Sequence, residues 1–163
     1  MAAPDPDPVP RWLGDDEQRA WRTFLRGSQR LVEVLNRELA EAHGSGLGDY
    51  RILVVLSEAP GGALRMSELA EGTVSSRSRL THQIRRMEED GVVRREHCES
   101  DGRGVLAVLT DRGRARLAEL APTHVAGVRR HLVDLLDDTD RAALERIFTR
   151  VDDRLSEQTR TRY

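Results

Sequence analysis

The sequence predicts a mainly α-helical fold interrupted once by a small β-hairpin. Three observations lead there. Apolar residues recur at spacings of three and four through most of the chain, the mark of helices with one buried side. Between Val92 and Thr110 that period gives way to two short β-leaning runs. Just before them, two short helices are separated by a turn containing Gly72, the layout of a helix-turn-helix.

The opening MAAPDPDPVP alternates proline and aspartate, and residues 1–14 are expected to form a disordered lead-in. Trp21, Phe24, Leu25, Ser28, Leu31, Val32, Leu35 and Leu39 then trace an amphipathic helix from about Asp15 to Ala42, stopped by HGSGLG. Asp49 is placed to cap a second helix carrying Ile52, Leu53, Val55 and Leu56, which ends at Pro60, Gly61 and Gly62. Ser67 is the expected N-cap of a helix of barely two turns, Glu68 to Glu71. Ser76 is the expected N-cap of the next, which runs to Asp90 and stops at Gly91.

VVRREHC, Val92 to Cys98, and VLAVLT, Val105 to Thr110, are the hairpin strands, joined by the polar ESDGRG. Thr110 can cap a long helix through Leu117, Leu120, Val125, Val128, Leu132 and Leu135, with a bend expected at Pro122. DDTD separates it from a last helix carrying Leu144, Ile147, Phe148, Val151 and Leu155. The terminal helices have apolar stripes but no globular neighbour in sequence. They predict isologous packing against a second copy, with a monomeric bundle as the alternative.

The stretch SSRSRLTHQIRRMEEDG holds four arginines between Arg77 and Arg86 and no acid until Glu88. With Leu80 at 0° on a wheel of about 100° per residue, Ile84 and Met87 fall within roughly 40° of it and define a buried side. Ser78, His82 and Arg85 lie opposite, flanked by Arg79, Thr81 and Arg86, while Arg77 and Gln83 sit on the shoulders. Hydroxyls, an imidazole and arginines suit base edges and phosphates in a major groove wide enough for an α-helix. Free backbone N–H groups near Ser76 also favour a phosphate. The competing reading is a merely solvated face, the usual fate of a charge run.

Composition sets the limits. Hydrophobic content is 38% and charged content 33%, which favours helices with wide solvated faces over a large core. Net charge is −2, so nucleic-acid binding must rest on a local patch. All 26 basic residues are arginine, permanently charged and fork-shaped. The single cysteine, Cys98, forms no internal disulfide and fits a reducing interior. No apolar run approaches the ~20 residues of a membrane span, and the N-terminus lacks a signal-peptide layout, so a cytoplasmic location is expected.

MSELAEGTVSSRSRLTHQIRRMEEDGVVRREHCESDGRGVLAVLTDRGRARLAEL resembles the DNA-binding core of the MarR (multiple antibiotic resistance) family of transcriptional regulators. The match runs from about Asp49 to Leu120, and helix order extends it. Its most specific piece is the wing signature Asp-x-Arg-Gly at Asp101 to Gly104, followed by LTDRG. The resemblance implies a winged helix-turn-helix plus a helical dimerisation region formed by the N- and C-terminal helices. On that reading 15–48 is the N-terminal dimerisation helix, 49–110 the winged DNA-binding domain and 111–163 the C-terminal dimerisation helices. A homodimer would bind a pseudo-palindromic double-stranded operator, usually as a repressor.

Ser76, Arg77, Ser78, Arg79, Thr81, His82, Arg85 and Arg86 would then meet the major groove. Arg103 would reach the minor groove, with Asp101 shaping the wing. His82 stands where relatives commonly carry an arginine, and Gln83 where many carry an aliphatic residue.

Members of this family often release DNA when a small aromatic or phenolic molecule binds between the dimer helices and the winged domain. Trp12, Trp21, His43, Tyr50 and Arg51 are the residues that could line such a cleft, with rings stacking and cations holding a carboxylate. Core and interface packing is the competing reading, above all for Trp21. Cys98, following Arg94, Arg95 and His97, offers a redox-responsive alternative. Peroxide-sensing relatives, however, carry their reactive cysteine near the first helix. His43, His97, Cys98, His124 and His131 contain no His-x-x-x-His pair, so no metal is expected. Neither a P-loop, a Gly-x-Ser-x-Gly elbow nor a dinucleotide fingerprint occurs, and neither an enzyme nor a cofactor is expected. The remaining competitor is a winged-helix protein–protein adaptor without DNA binding.

Overall fold

The computed structural model describes residues 10–97 and 104–160. Among them are six α-helices and one three-stranded antiparallel sheet. The first helix, α1, spans Asp15–His43 and ends on Gly44, whose φ of 67° is the left-handed conformation glycine adopts without penalty. Helix α2, Leu47–Glu58, starts from Gly46. The expected Asp49 cap is therefore corrected: Asp49 lies inside the first turn, and its carboxylate is used elsewhere. A 3₁₀ turn at Pro60–Gly62 leads into strand β1, Ala63–Arg65, which sequence reading missed because three residues carry no readable period.

Helix α3, Met66–Gly72, is capped at Arg65, with Glu68 Oε2 accepting from the Arg65 N–H at 3.0 Å. Ser67 is thus inside the helix, not at its cap. Helix α4, Arg77–Glu89, begins at Ser76, whose hydroxyl accepts from the Arg79 N–H as expected. Strands β2, Val93–His97, and β3, Val105–Leu109, pair antiparallel, and β1 joins the far edge of β3. Helix α5 runs Asp111–His131 with Pro122 inside it, then gives way to a 3₁₀ turn at Val133–Leu135, short of the expected continuous helix to Leu135. Helix α6 spans Asp138–Arg160.

The core lies beneath the helix-turn-helix. Leu53 and Leu56 of α2, Leu69 of α3, Leu80, Ile84 and Met87 of α4, and Val93 of β2 are all buried in one cluster. The Thr110 hydroxyl fastens the sheet to α5: it donates to the Gly91 carbonyl at 2.8 Å and accepts from the Gly113 N–H at 3.0 Å. A Cβ at Gly113 would fall 2.1 Å from the Val92 carbonyl oxygen, so only glycine lets α5 start this close to the corner between α4 and β2.

Candidate nucleic-acid interface

Helix α4 presents two unlike sides. Leu80, Ile84 and Met87 are buried, while Ser76, Arg77, Ser78, Arg79, Thr81, His82, Arg85 and Arg86 are all exposed. The cause is plain amphipathicity: a 3.6-residue period places the three apolar side chains on the core and leaves the polar ones to solvent. Within the outward set the roles divide. Ser76 is the N-cap, and Thr81 donates its hydroxyl to the Arg77 carbonyl at 2.8 Å, keeping its lone pairs outward. The guanidinium groups of Arg77, Arg79 and Arg85 have no side-chain partner among the described residues, so their full donor capacity faces solvent.

Arg86 differs. One guanidinium nitrogen, Nη2, donates to both oxygens of Asp49, at 2.7 and 2.9 Å. Gln83 Nε2 donates to Asp49 Oδ1 at 2.8 Å. Sequence reading placed Gln83 near the scaffold but did not find Asp49, which is 34 and 37 residues from its two partners. A second missed contact ties α4 to the sheet. Glu88 accepts from the Arg95 backbone N–H at 3.1 Å and from its Nε and Nη2 at 2.9 and 2.6 Å. Those side-chain and backbone hydrogen bonds hold the Glu88 carboxyl below the usual carboxylate range. Arg95 is thereby neutralised at the base of the hairpin. Asp101, Arg103 and Cys98 lie outside the described residues.

The five effector-cleft candidates do not converge within one protomer. Trp21 precedes His43 by 22 residues on one continuous helix, about 33 Å at 1.5 Å per residue, and Trp12 lies further off. Trp21 instead leans on Phe24, with ring centroids 5.8 Å apart. His43 and Tyr50 do meet the same part of α5. His43 Nε2 shares a hydrogen bond with Thr123 Oγ1 at 2.8 Å, and the Tyr50 ring lies 4.3 Å from that of His124. Burial pushes the Tyr50 phenol up and the His124 imidazole down from their ordinary values. Arg51 is exposed on the second turn of α2.

A cleft of about 500 Å³ opens nearby, yet none of the five lines it. Its apolar floor is Leu53, Met87 and Val92, and its polar wall includes Asp49, Asp90, Arg112 and Arg116. Arg116 is occupied, donating to the His43 carbonyl and, at 2.9 Å, to Ser45 Oγ. Among the described residues no group of three or more His, Cys, Asp or Glu could hold a metal ion, and no helix is long and apolar enough to cross a membrane.

A helix-turn-helix whose second helix buries one side and shows arginines, serines and an imidazole on the other, with an antiparallel hairpin beside it, defines a winged-helix DNA-binding fold. Comparison with known proteins narrows this. The MarR family model matches residues 43–104. The chain is similar to AbsC, a MarR family transcriptional regulator from Streptomyces coelicolor, at 47% identity with 91% of this chain and 99% of that chain covered and a TM-score of 0.84. It is also similar to Sco3205, a MarR family transcriptional regulator from the same organism solved in complex with DNA, at 41% identity, 88% and 91% coverage and a TM-score of 0.85. The HTH-type transcriptional repressor YetL of Bacillus subtilis is 29% identical over 101 residues, 62% of this chain and 60% of that repressor's length. This chain belongs to the MarR family of transcriptional regulators, a family of regulators and not of enzymes.

Proposed function

We propose that the protein is a homodimeric repressor that binds a pseudo-palindromic duplex operator and releases it when a small aromatic or phenolic molecule binds. The observation that carries the DNA reading is the outward side of α4, where three unpartnered arginines stand among exposed hydroxyls and His82. Ser78 and His82 lie at the centre of that side and read bases. Arg77, Arg79 and Arg85 hold phosphates or guanines, and Arg103 with Asp101 extends the contact into the minor groove. That Sco3205 was solved with DNA, and that YetL is a repressor, supports the same reading for this relative.

In this reading 49–110 is the DNA-binding unit, while 15–48 and 111–163 hold two copies together. The effector lies in the 500 Å³ cleft, its ring on Leu53, Met87 and Val92 and its carboxylate on Arg112. Selection of bound duplexes from a random pool, repeated with a panel of phenolic acids, tests all parts. Enrichment of an inverted repeat that a phenolic acid abolishes is the expected result. Retention of no duplex above background would leave the adaptor reading in its place. On the enriched duplex, Arg79→Ala should weaken binding, and the affinity should fall steeply with salt.

A further inference from the structure

We propose that Asp49 is a positioning residue for DNA recognition: from the first turn of α2 it clamps one flank of the recognition helix and keeps Arg86 away from the phosphates. The clamp has two arms. Gln83 and Arg86 are one turn apart on the same flank of α4, and both donate to the one carboxylate, through Nε2 at 2.8 Å and Nη2 at 2.7 and 2.9 Å. Two holds spaced a turn apart resist both roll of the helix about its axis and slip along it. Roll matters because it decides whether Ser78 and His82 or their neighbours point at base edges.

The local sequence is shaped for this contact. The Asp49 side chain is only 15% exposed, whereas that of Arg86 is 61% exposed, so the acid is the fixed partner and the arginine comes to it. A carboxylate in the first turn of α2 is also favoured by the helix dipole. Gly48 leaves room for the amide arm: a Cβ there would fall 2.7 Å from Gln83 Nε2. Arg77, Arg79 and Arg85, by contrast, have no such acid among the described residues. For Arg86 to join a phosphate it would have to desert a half-sheltered carboxylate, leaving that charge without its cation. The arginine face thus consists of three available cations and one that is withheld.

This proposal rests on the DNA-binding reading and is tested on the intact protein with a duplex selected by the parent and a scrambled duplex of equal length. Asp49→Asn removes the charge that holds Arg86. The variant should bind the scrambled duplex about threefold or more tighter, with a salt slope steeper by about 0.9 per protomer, as expected for one added phosphate contact. The ratio of selected to scrambled affinity should fall. Arg86→Gln in the parent should leave the salt slope unchanged, and added to Asp49→Asn it should restore the parent slope. An unchanged slope in folded Asp49→Asn, or a shallower one in Arg86→Gln alone, overturns the proposal. Arg86 is exposed, so its variant keeps the test decisive even if Asp49→Asn fails to fold. If the parent binds no duplex, the DNA reading falls first; if it binds and these slopes do not move as stated, only the clamp falls.

Discussion

Two parts of this molecule spend their apolar residues in opposite ways. In the helix-turn-helix and sheet, Leu56, Leu69, Leu80, Ile84 and Val93 are all essentially inaccessible to solvent. On α6, residues 145–157 are exposed throughout, although Ile147, Phe148, Val151 and Leu155 form a continuous helical stripe. Phe148 touches Phe24 of α1, with centroids 5.4 Å apart, yet both rings remain in the open. The first region completes its own core. The second has sequence periodicity equal to that of a buried helix, yet the described residues leave most of its stripe exposed. A stripe of this length left facing water is the usual sign of an interface, and the proposed role of α1 and α6 in self-association rests on that contrast.

The contrast can be broken from either side. The largest effect is expected in the closed core. Leu53→Ala removes a fully buried side chain and should lower unfolding free energy by about 2–5 kcal/mol, read from urea denaturation. Next is the open stripe. Phe148→Asp should shift sedimentation from dimer to monomer and weaken self-association by about 2 kcal/mol, some thirtyfold in Kd, with the helix-turn-helix still folded. A parent that sediments as a monomer at every concentration removes the interface reading.

A smaller effect of opposite sign is expected at the turn between α3 and α4. Val74 has a φ of 51° and is 85% exposed, holding the left-handed position where helices usually place glycine. Its N–H reaches the Glu71 carbonyl at 3.0 Å, and the Ser75 N–H reaches Ala70 at 2.9 Å, so the backbone on both sides is committed. The left-handed region costs a non-glycine residue roughly 1–2 kcal/mol. Val74→Gly should relieve most of this, less the entropy glycine adds to the unfolded chain, for a net gain of about 0.5–1 kcal/mol. A loss of stability would mean that the valine makes contacts worth more than its strain.

What the sequence shows, and what it hides, follows the same division. Helix α4 was legible because three independent signals agree: the Ser76 cap, the Leu80, Ile84 and Met87 spacing, and the Gly91 stop. The Thr110 cap and the hairpin strands were legible for similar local reasons. Asp49 was misread because an acid near a helix start is a fair cap by local rules, while its actual partners lie on another helix. Ion pairs over such separations leave no period behind. The same holds for Glu88 with Arg95, and for the three-residue strand β1, whose identity comes from pairing with Leu106 to Val108. The rise of one continuous helix separates Trp21 from His43 within a protomer, a distance the sequence alone already gives.

The subtlest expected effect lies on the seam where the two regions meet. His124 of α5 is stacked on Tyr50 of α2, and its Nδ1 is buried without a hydrogen-bond partner among the described residues. Burial lowers its pKa below 6.5, so the folded protein holds it neutral while the unfolded chain takes up a proton first. Between those two values unfolding binds the extra proton. Stability is therefore full above about pH 6.5 and declines as pH falls through the lowered folded-state pKa. Glu38 acts lower down. Hydrogen bonding to His131 depresses its pKa below 4.5, so the stabilisation it gives between α1 and α5 is present above that value and lost as pH falls through the depressed one. His124→Phe keeps a ring against Tyr50 and removes the titrating group, so it should flatten the upper limb of a melting-temperature profile between pH 7 and 5 and leave the acid limb in place. A profile that retains its upper limb in this variant would move the sensitivity to another histidine and show that the seam carries no protonation cost.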